Sequence, residues 1–304
     1  QDDAARCQRL HFVSVEKHPL LQSDLQRLLA PYVGELASET VTALVEQWPP
    51  LVEGTHRLEF DHGRVVLTLI LGDAETSLPQ LTARADAIYL DGFSPAKNPD
   101  IWSDRVCQAL ARLSGGSTTL ATWSVKGTVR RRLIDCGFVI SFAPGFAQKR
   151  EMLCGRFVPR RPHPNPPLKA GQALIIGGGL AGTATAERLA VRGWRCTILE
   201  AHTLASGASG NQAGVIRPQP SADDNILGKL TRAGFLATRL RLKQLEAAGF
   251  AVDWDACGVL HLPKDDTQSA LMQRTVAQLA LPEDLLTWVS QIDASSLADL
   301  PLPH

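Results

Sequence analysis

The stretch ALIIGGGLAGTATAERLAVRGWRCTILE, from Ala173 to Glu200, constrains the fold more than any other part of the chain. Ala173 to Ile176 is a short apolar run of the kind that forms a buried parallel strand. Gly177, Gly179 and Gly182 follow with G-x-G-x-x-G spacing. A helical segment comes next, then a second strand from Cys196 to Leu199 that ends on Glu200. Each part answers a physical need. The first glycine permits a tight turn, the second lets a pyrophosphate approach the backbone, and the third lets helix pack on strand. The helix start offers free N–H groups and the positive end of its dipole to phosphate. An acid placed like Glu200 accepts hydrogen bonds from both hydroxyls of an adenosine ribose. A glycine triplet alone would also fit a ligand-free turn. With strand, helix, strand and acid in register it marks a dinucleotide site.

This module begins past the middle of a chain of 304 residues, so a full-sized domain fits before it. Between the two lies VPRRPHPNPPLKAG, Val158 to Gly171, rich in proline and poor in apolar residues. That composition reads as an extended linker. The expected layout is a first domain over 1–157, a linker over 158–171 and a second domain over 172–304.

Basic and acidic residues balance at 31 each, for a formal net charge of zero. The balance argues against bulk nucleic-acid binding, and DNA is not an expected partner, but a local basic patch remains open. The six cysteines, Cys7, Cys107, Cys136, Cys154, Cys196 and Cys257, form no C-x-x-C pair, so neither a zinc site nor a redox dithiol is expected. The eight histidines show no metal-ligand spacing. No apolar run is long enough to span a membrane and no secretory signal opens the chain, so a cytoplasmic protein is expected.

The region before the linker alternates strand-like and helix-like segments. Leu10 to Val15 reads as a strand ending at Glu16, and Leu20 to Leu29 has helical spacing. Val65 to Leu71 is a strand leading to Gly72-Asp73, and Asp86 to Leu90 one leading to Asp91. A helix over Trp102 to Leu113 precedes a strand over Ser117 to Trp123. Gly137 to Phe142 and Glu151 to Val158 fit a hairpin at a sheet edge. This order predicts an open α/β sheet with ligands above the carboxyl ends of its strands. Any one of Glu16, Asp73 and Asp91 suits a helix cap or turn. Three acids at successive strand ends converge on one crevice.

That pattern resembles a class I S-adenosylmethionine methyltransferase. The resemblance implies that Glu16 holds the ribose hydroxyls, that Asp73 lies near the adenine amine, and that the loop after Asp91 faces the methyl group and its acceptor. The family's first strand and glycine loop would precede Glu16, where only fifteen residues stand, so the chain is expected to begin inside the first helix of the domain. The loop itself, LDGFSPAKNPDIW, is similar to the acid–proline–aromatic loops of amine methyltransferases. An amine must lose a proton to act as a nucleophile, and Asp91 can orient it and accept that proton. Phe93 would stack on a flat base, with Lys97 beside it. A well-made turn capped by Asp91 is the structural alternative.

Taken together, LHFVSVEKHPL at 10–20, IYLDGFSPAKNPDIW at 88–102, KREMLCG at 149–155, IIGGGLAG at 175–182 and ASGASGNQAGVIRPQ at 205–219 resemble the bifunctional MnmC family of tRNA 5-methylaminomethyl-2-thiouridine biosynthesis enzymes. The resemblance implies a class I methyltransferase domain followed by an FAD-binding Rossmann-type domain of the glycine and D-amino acid oxidase type. The second would strip the carboxymethyl group from 5-carboxymethylaminomethyl uridine through an imine that water splits to a primary amine and glyoxylate. The first would then methylate that amine with S-adenosyl-L-methionine. Ser206, Ser209, Gly210 and Asn211 would wrap the FAD, their small size allowing close backbone approach. The partner would be tRNA, with the wobble uridine of its anticodon loop as the acceptor. Its phosphates call for positive charge, and Arg130, Arg131, Arg132, Lys149, Arg150, Arg156, Arg160 and Arg161 are the candidates, which equally suit a solvated helix face or linker charge. A monomer is expected.

In the family the chain leaves the FAD domain for a substrate sheet and then returns. Val252 to Leu262 would open that sheet, and no returning segment follows before His304. The polypeptide taken alone is accordingly expected to lack both activities. Two other readings stay open: a small-molecule amine oxidase with a scaffold methyltransferase-like domain, and an inactive RNA-binding fragment.

Overall fold

The computed structural model describes residues 9–33, 38–147, 149–159 and 170–298. Among them the chain divides into two compact units. One comprises Gln1–Ser14, Pro19–Leu71 and Ala170–His304; the other Val15–His18 and Gly72–Lys169. Most of the proline-rich stretch lies outside the described residues.

Strands β1 (Leu10–Glu16), β2 (Gly54–Phe60) and β3 (Val65–Leu71) form a three-stranded sheet in the order β1-β3-β2, in the first unit except for Val15 and Glu16 at the end of β1, which belong to the second. β2 runs antiparallel to β3, with Gly54 opposite Leu71 and Phe60 opposite Val65. The tight connection at Asp61–Gly63 uses positive φ at all three residues. β2 alternates, with His56 and Leu58 buried and Thr55 and Arg57 exposed, as a half-buried strand does. Leu58, Leu69 and Leu71 form a small core backed by Leu44 and Trp48, on and beside helix α2 (Ser38–Gln47).

The same unit carries a β-α-β module. β8 (Gln172–Ile176) and β9 (Arg195–Leu199) are parallel, with Ala173 opposite Cys196 and Ile176 opposite Leu199. Helix α6 (Leu180–Ala190) connects them. Beyond lie helices α7 (Ile226–Ala247), α8 (Asp266–Leu279) and α9 (Gln291–Ala298). Asn225 caps α7 by accepting the Gly228 N–H, and Asp265 caps α8 by accepting that of Gln268. The segment Val252–Leu262, expected to open a substrate sheet, holds no strand. Val252–Ala256 does alternate apolar and polar residues, but a strand needs a partner for its backbone groups, and none pairs with it among the described residues.

The second unit is built on a four-stranded sheet ordered β4-β5-β7-β6, from β4 (Ala85–Tyr89), β5 (Ser114–Thr122), β6 (Phe138–Pro144) and β7 (Glu151–Phe157). β4 and β5 are parallel, whereas β7 is antiparallel to β5 and to β6. The hairpin thus forms, with β6 at the edge. Helix α4 (Asp104–Leu113) is capped by Ser103 and buries Val106, Cys107, Leu110 and Leu113. With Trp102, Leu120, Leu133 and Phe138 these make the main core. Leu133 belongs to α5 (Gly127–Asp135).

The single open sheet expected before the linker is therefore two sheets. β1 and β4 are both edge strands, and no described strand pairs with both. Backbone pairing is what makes a sheet continuous, and without a strand between them the ladder stops at each edge.

Candidate active site and dinucleotide cradle

The three acids expected at strand ends meet in one place. Glu16, Asp73 and Asp91 line a cavity of ≈ 480 Å³ with Lys17, His18, Gly92, Phe93, Lys97 and Trp123. Backbone pairing sets this up. Gly72 N donates to Glu16 O at 2.9 Å, which sets the end of β1 beside Asp73, and Leu90 N donates to Ala121 O at 2.9 Å, which sets Asp91 near the end of β5.

The acids differ in what already holds them. Glu16 accepts the His18 N–H at 2.7 Å. Asp73 caps the short helix α3 (Ala74–Ser77) through the Glu75 N–H and binds Lys17 Nζ at 2.8 Å with its other oxygen. The bond to Lys17 draws the Asp73 carboxyl below its ordinary value and raises Lys17. Asp91 Oδ1 accepts Trp123 Nε1–H at 2.8 Å. Trp123 stands just past the end of β5, and Lys149 Nζ lies 4.8 Å from its ring centroid. The loop after Asp91 is fixed by Trp102 Nε1–H donating to Phe93 O at 2.9 Å, while the Phe93 side chain is exposed. Lys17, Trp123 and Lys149 had no place in the sequence reading of this site. The signal for Trp123 was an aromatic N–H donor at a strand's carboxyl end.

The cavity has the size of a small-molecule site, and its carboxylates and lysines supply acceptors and donors for a polar ligand. The glycine loop of the methyltransferase pattern is not found among the described residues.

The second site is the G-x-G-x-x-G turn. Gly177 has φ +101°, a conformation that favours glycine, and open space where a side chain would project. A Cβ on Gly182 would sit 1.9 Å from Gly177 O, so only glycine lets the helix lie this close to the strand. Gly179 is the N-cap of α6, where a Cβ would come within 2.8 Å of Ser209 Oγ. Ser209 Oγ accepts the Leu180 N–H at 3.0 Å and occupies the start of the helix. Ser206, Ser209, Gly210 and Asn211 thus belong to a segment folded onto the turn, with Gly210 against Ala205 O. Glu200, at the end of β9, accepts the Gly178 N–H at 2.7 Å and the His202 N–H at 3.1 Å. These bonds, the first above all, lower its carboxyl. The cradle fits a dinucleotide, with a glycine floor, a helix N-terminus and an acid at the second strand end.

Of the basic residues put forward for RNA contact, Arg132 is engaged with Trp102 O and Asp104. Arg130, Arg131, Lys149, Arg150 and Arg156 are exposed, and Arg160 and Arg161 lie outside the described residues. The cysteines are unpaired thiols among the described residues; Cys107 is buried and its thiol is pushed up to about 12, whereas Cys257 is exposed. Among the described residues no cluster suited to a metal ion occurs, and no helix is long and apolar enough to cross a membrane.

An acid-lined crevice on one α/β unit and a glycine cradle on a β-α-β module define a methyltransferase-type region joined to a flavin-type oxidoreductase region. Comparison with known proteins agrees. Residues 35–157 match a family described as S-adenosyl-L-methionine-dependent methyltransferase, and residues 172–302 one described as FAD dependent oxidoreductase. The tRNA 5-methylaminomethyl-2-thiouridine biosynthesis bifunctional protein MnmC of Azoarcus sp. is 52% identical over 304 residues, covering 99% of this chain and 47% of the relative. The MnmC of Burkholderia multivorans is 48% identical, covering 100% of this chain and 48% of the relative. A crystal structure of MNMC2 from Aquifex Aeolicus aligns at TM-score 0.39 and 23% identity, over 52% of this chain and 47% of that one, too weak a likeness to carry weight. The chain belongs to the MnmC family. It spans about half the length of the curated relatives it matches.

Proposed function

We propose that the full-length protein carries out two successive steps on a tRNA wobble uridine. The first removes the carboxymethyl group from 5-carboxymethylaminomethyl-(2-thio)uridine. The second methylates the resulting amine to 5-methylaminomethyl-(2-thio)uridine. The observation that carries this reading is the convergence of Glu16, Asp73 and Asp91 on one cavity, with the Asp91 carboxylate held by Trp123. The names of relatives about half identical to this chain supply the substrate.

Residues 1–157 would form the methyltransferase domain, 158–171 a linker and 172–304 the oxidoreductase domain. FAD, when bound, supplies two-electron oxidation of the carbon–nitrogen bond. Gly177, Gly179 and Gly182 would let its pyrophosphate reach the backbone, Glu200 would hold its ribose, and Ser206 through Asn211 would close over it. Glu16 and Asp73 would bind the nucleoside of S-adenosyl-L-methionine. Asp91 would orient the acceptor amine and take its proton, so that the nitrogen lone pair is free for the methyl group. Phe93 and Lys97 would flank the base. The protein would act as a monomer in the cytoplasm.

Mass spectrometry of tRNA nucleosides tests this. Cells lacking the gene should accumulate the carboxymethylaminomethyl nucleoside. Cells carrying Asp91→Asn should accumulate the primary aminomethyl nucleoside instead. Normal amounts of the methylated nucleoside in both strains would overturn the reading.

A further inference from the structure

Beside the Asp91 crevice stands a surface that the two proposed reactions do not use. The β6–β7 ladder ends at the Pro144–Glu151 pair, and the chain turns between them. Gly145 N donates to Arg150 O at 3.1 Å, and Lys149 N to Phe146 O at 3.1 Å. A Cβ on Gly145 would fall 2.3 Å from Lys149 O, so the tip is closely wound. It presents Phe146, 88% exposed, at its end, and Phe142, 51% exposed, on the β6 face. Cations interleave with these rings. Arg130, from the first turns of α5, lies 5.4 Å from the Phe142 ring centroid. Lys149 lies over Trp123, whose Nε1–H is bonded to Asp91. Arg131 and Arg150 are exposed nearby in sequence, with Glu151 the acid at the start of β7.

A single exposed ring is ordinary on a protein surface; what sets this tip apart is two exposed rings, Phe146 and Phe142, standing among exposed cations. Rings alternating with arginine and lysine are what single-stranded nucleic acid demands. Bases stack on the rings and phosphates meet the cations. A duplex hides its base faces and has no use for Phe146. A protein partner would account for the rings and arginines but not for Lys149 and the other cations crowded round them, since lysine is depleted at interface centres.

We propose that the β6–β7 tip, with Phe146, Phe142, Arg130 and Lys149, is a stacking platform for unpaired RNA nucleotides next to the uridine held at Asp91. The platform is tied to the reacting acid through Lys149, Trp123 and Asp91. This deepens the proposed function and rests on its RNA substrate.

The test uses the full-length protein and two fluorescent RNAs, a stem-loop with an unpaired loop and a duplex of equal length. Phe146→Ala should weaken binding of the stem-loop about tenfold, in line with the loss of one base–aromatic stack. Phe146→Tyr should bind as the unaltered protein does. Duplex binding should not change in either variant, and kcat at saturating RNA should also hold. Arg130→Gln should lower the salt dependence of stem-loop binding by about one phosphate contact. Unchanged stem-loop affinity in Phe146→Ala overturns the platform even if the enzyme methylates RNA normally. Binding through Phe146 with no modification of any uridine would instead keep the platform and sink the proposed reaction. Absence of RNA binding by the unaltered protein overturns both.

Discussion

Arg188 Nη1 donates to Glu59 Oε2 at 2.7 Å, joining β2 to the helix of the glycine cradle. Glu59 is 17% exposed, and Arg192 and Arg57 lie 3.8 and 3.7 Å from its other oxygen. Arg188 also forks onto Glu187, which Arg241 of α7 reaches as well. One carboxylate thus sits among three guanidinium groups. Glu59→Gln keeps the shape and removes the charge. It should destabilise the chain by about 1–2 kcal/mol, because each neighbour loses a partner and the arginines repel. Added salt should recover part of the loss by screening that repulsion. A urea midpoint equal to that of the unaltered protein at low salt would rule the network out as a source of stability.

Asp224 and Arg232 form a deeper pair. Arg232 is 8% exposed on its side chain and binds both carboxylate oxygens of Asp224, at 2.8 and 3.1 Å. Asp224→Asn leaves a buried guanidinium without its counter-charge, at a cost of roughly 2–4 kcal/mol. Asn tolerates the φ of 42° at this position, so the loss reports the charge and not the backbone. Arg232 holds the Asp224 carboxyl below its ordinary 3.8, chiefly by hydrogen bonding. The sign follows from linkage. The stability is fully present above the unfolded value and drains away as pH falls from there through the lower folded value. The gap in unfolding free energy between the two proteins should therefore close in that acidic window. A gap that stays constant down to acid pH would mean the pair is not its source.

Much of the frame was legible because period and punctuation agree. Val65–Leu71 reads as a strand and is one, and the acids at the ends of β1, β3 and β4 do share a cavity. The β8-turn-α6 module was plain because glycine, strand and acid obey one steric scheme. β2 was missed: GTHRLEF alternates, but His56 and Arg57 hide the pattern until the burial of His56 against Val52 O is seen. α7 has an Asn cap and a helical apolar period over 22 residues, so its signal was present without being used. The Trp123–Asp91 bond was beyond reach. It joins side chains 32 positions apart, and strand order alone brings them together.

Gly182→Ala probes the cradle directly. A methyl group there would meet Gly177 O at 1.9 Å, and neither backbone can yield without moving α6 from β8. The substitution should cost about 1–3 kcal/mol in stability. It should also leave the full-length protein colourless after gel filtration. Glu200→Ala should lower flavin retention more mildly, since the glycine floor survives. A Gly182→Ala protein that stays yellow would mean the flavin does not rest on this turn.

Trp123 offers the sharpest test of how Asp91 is held. Phenylalanine at this position keeps a ring face for Lys149 and removes only the N–H that reaches Asp91 Oδ1. If that bond aims the carboxylate at the acceptor amine, Trp123→Phe should lower kcat for methyl transfer roughly ten- to hundredfold, the scale on which small misplacements act. KM for RNA and the flavin-dependent step should hold, because neither uses the indole N–H. A double substitution separates aim from mere folding. Once Asp91 is changed to Asn the base is gone, and the bond to Trp123 has nothing left to position. Trp123→Phe combined with Asp91→Asn should then be no slower than Asp91→Asn alone, as coupled residues require. Losses that multiply in the double variant would show that Trp123 acts elsewhere, and the assignment of its N–H to Asp91's role would fall.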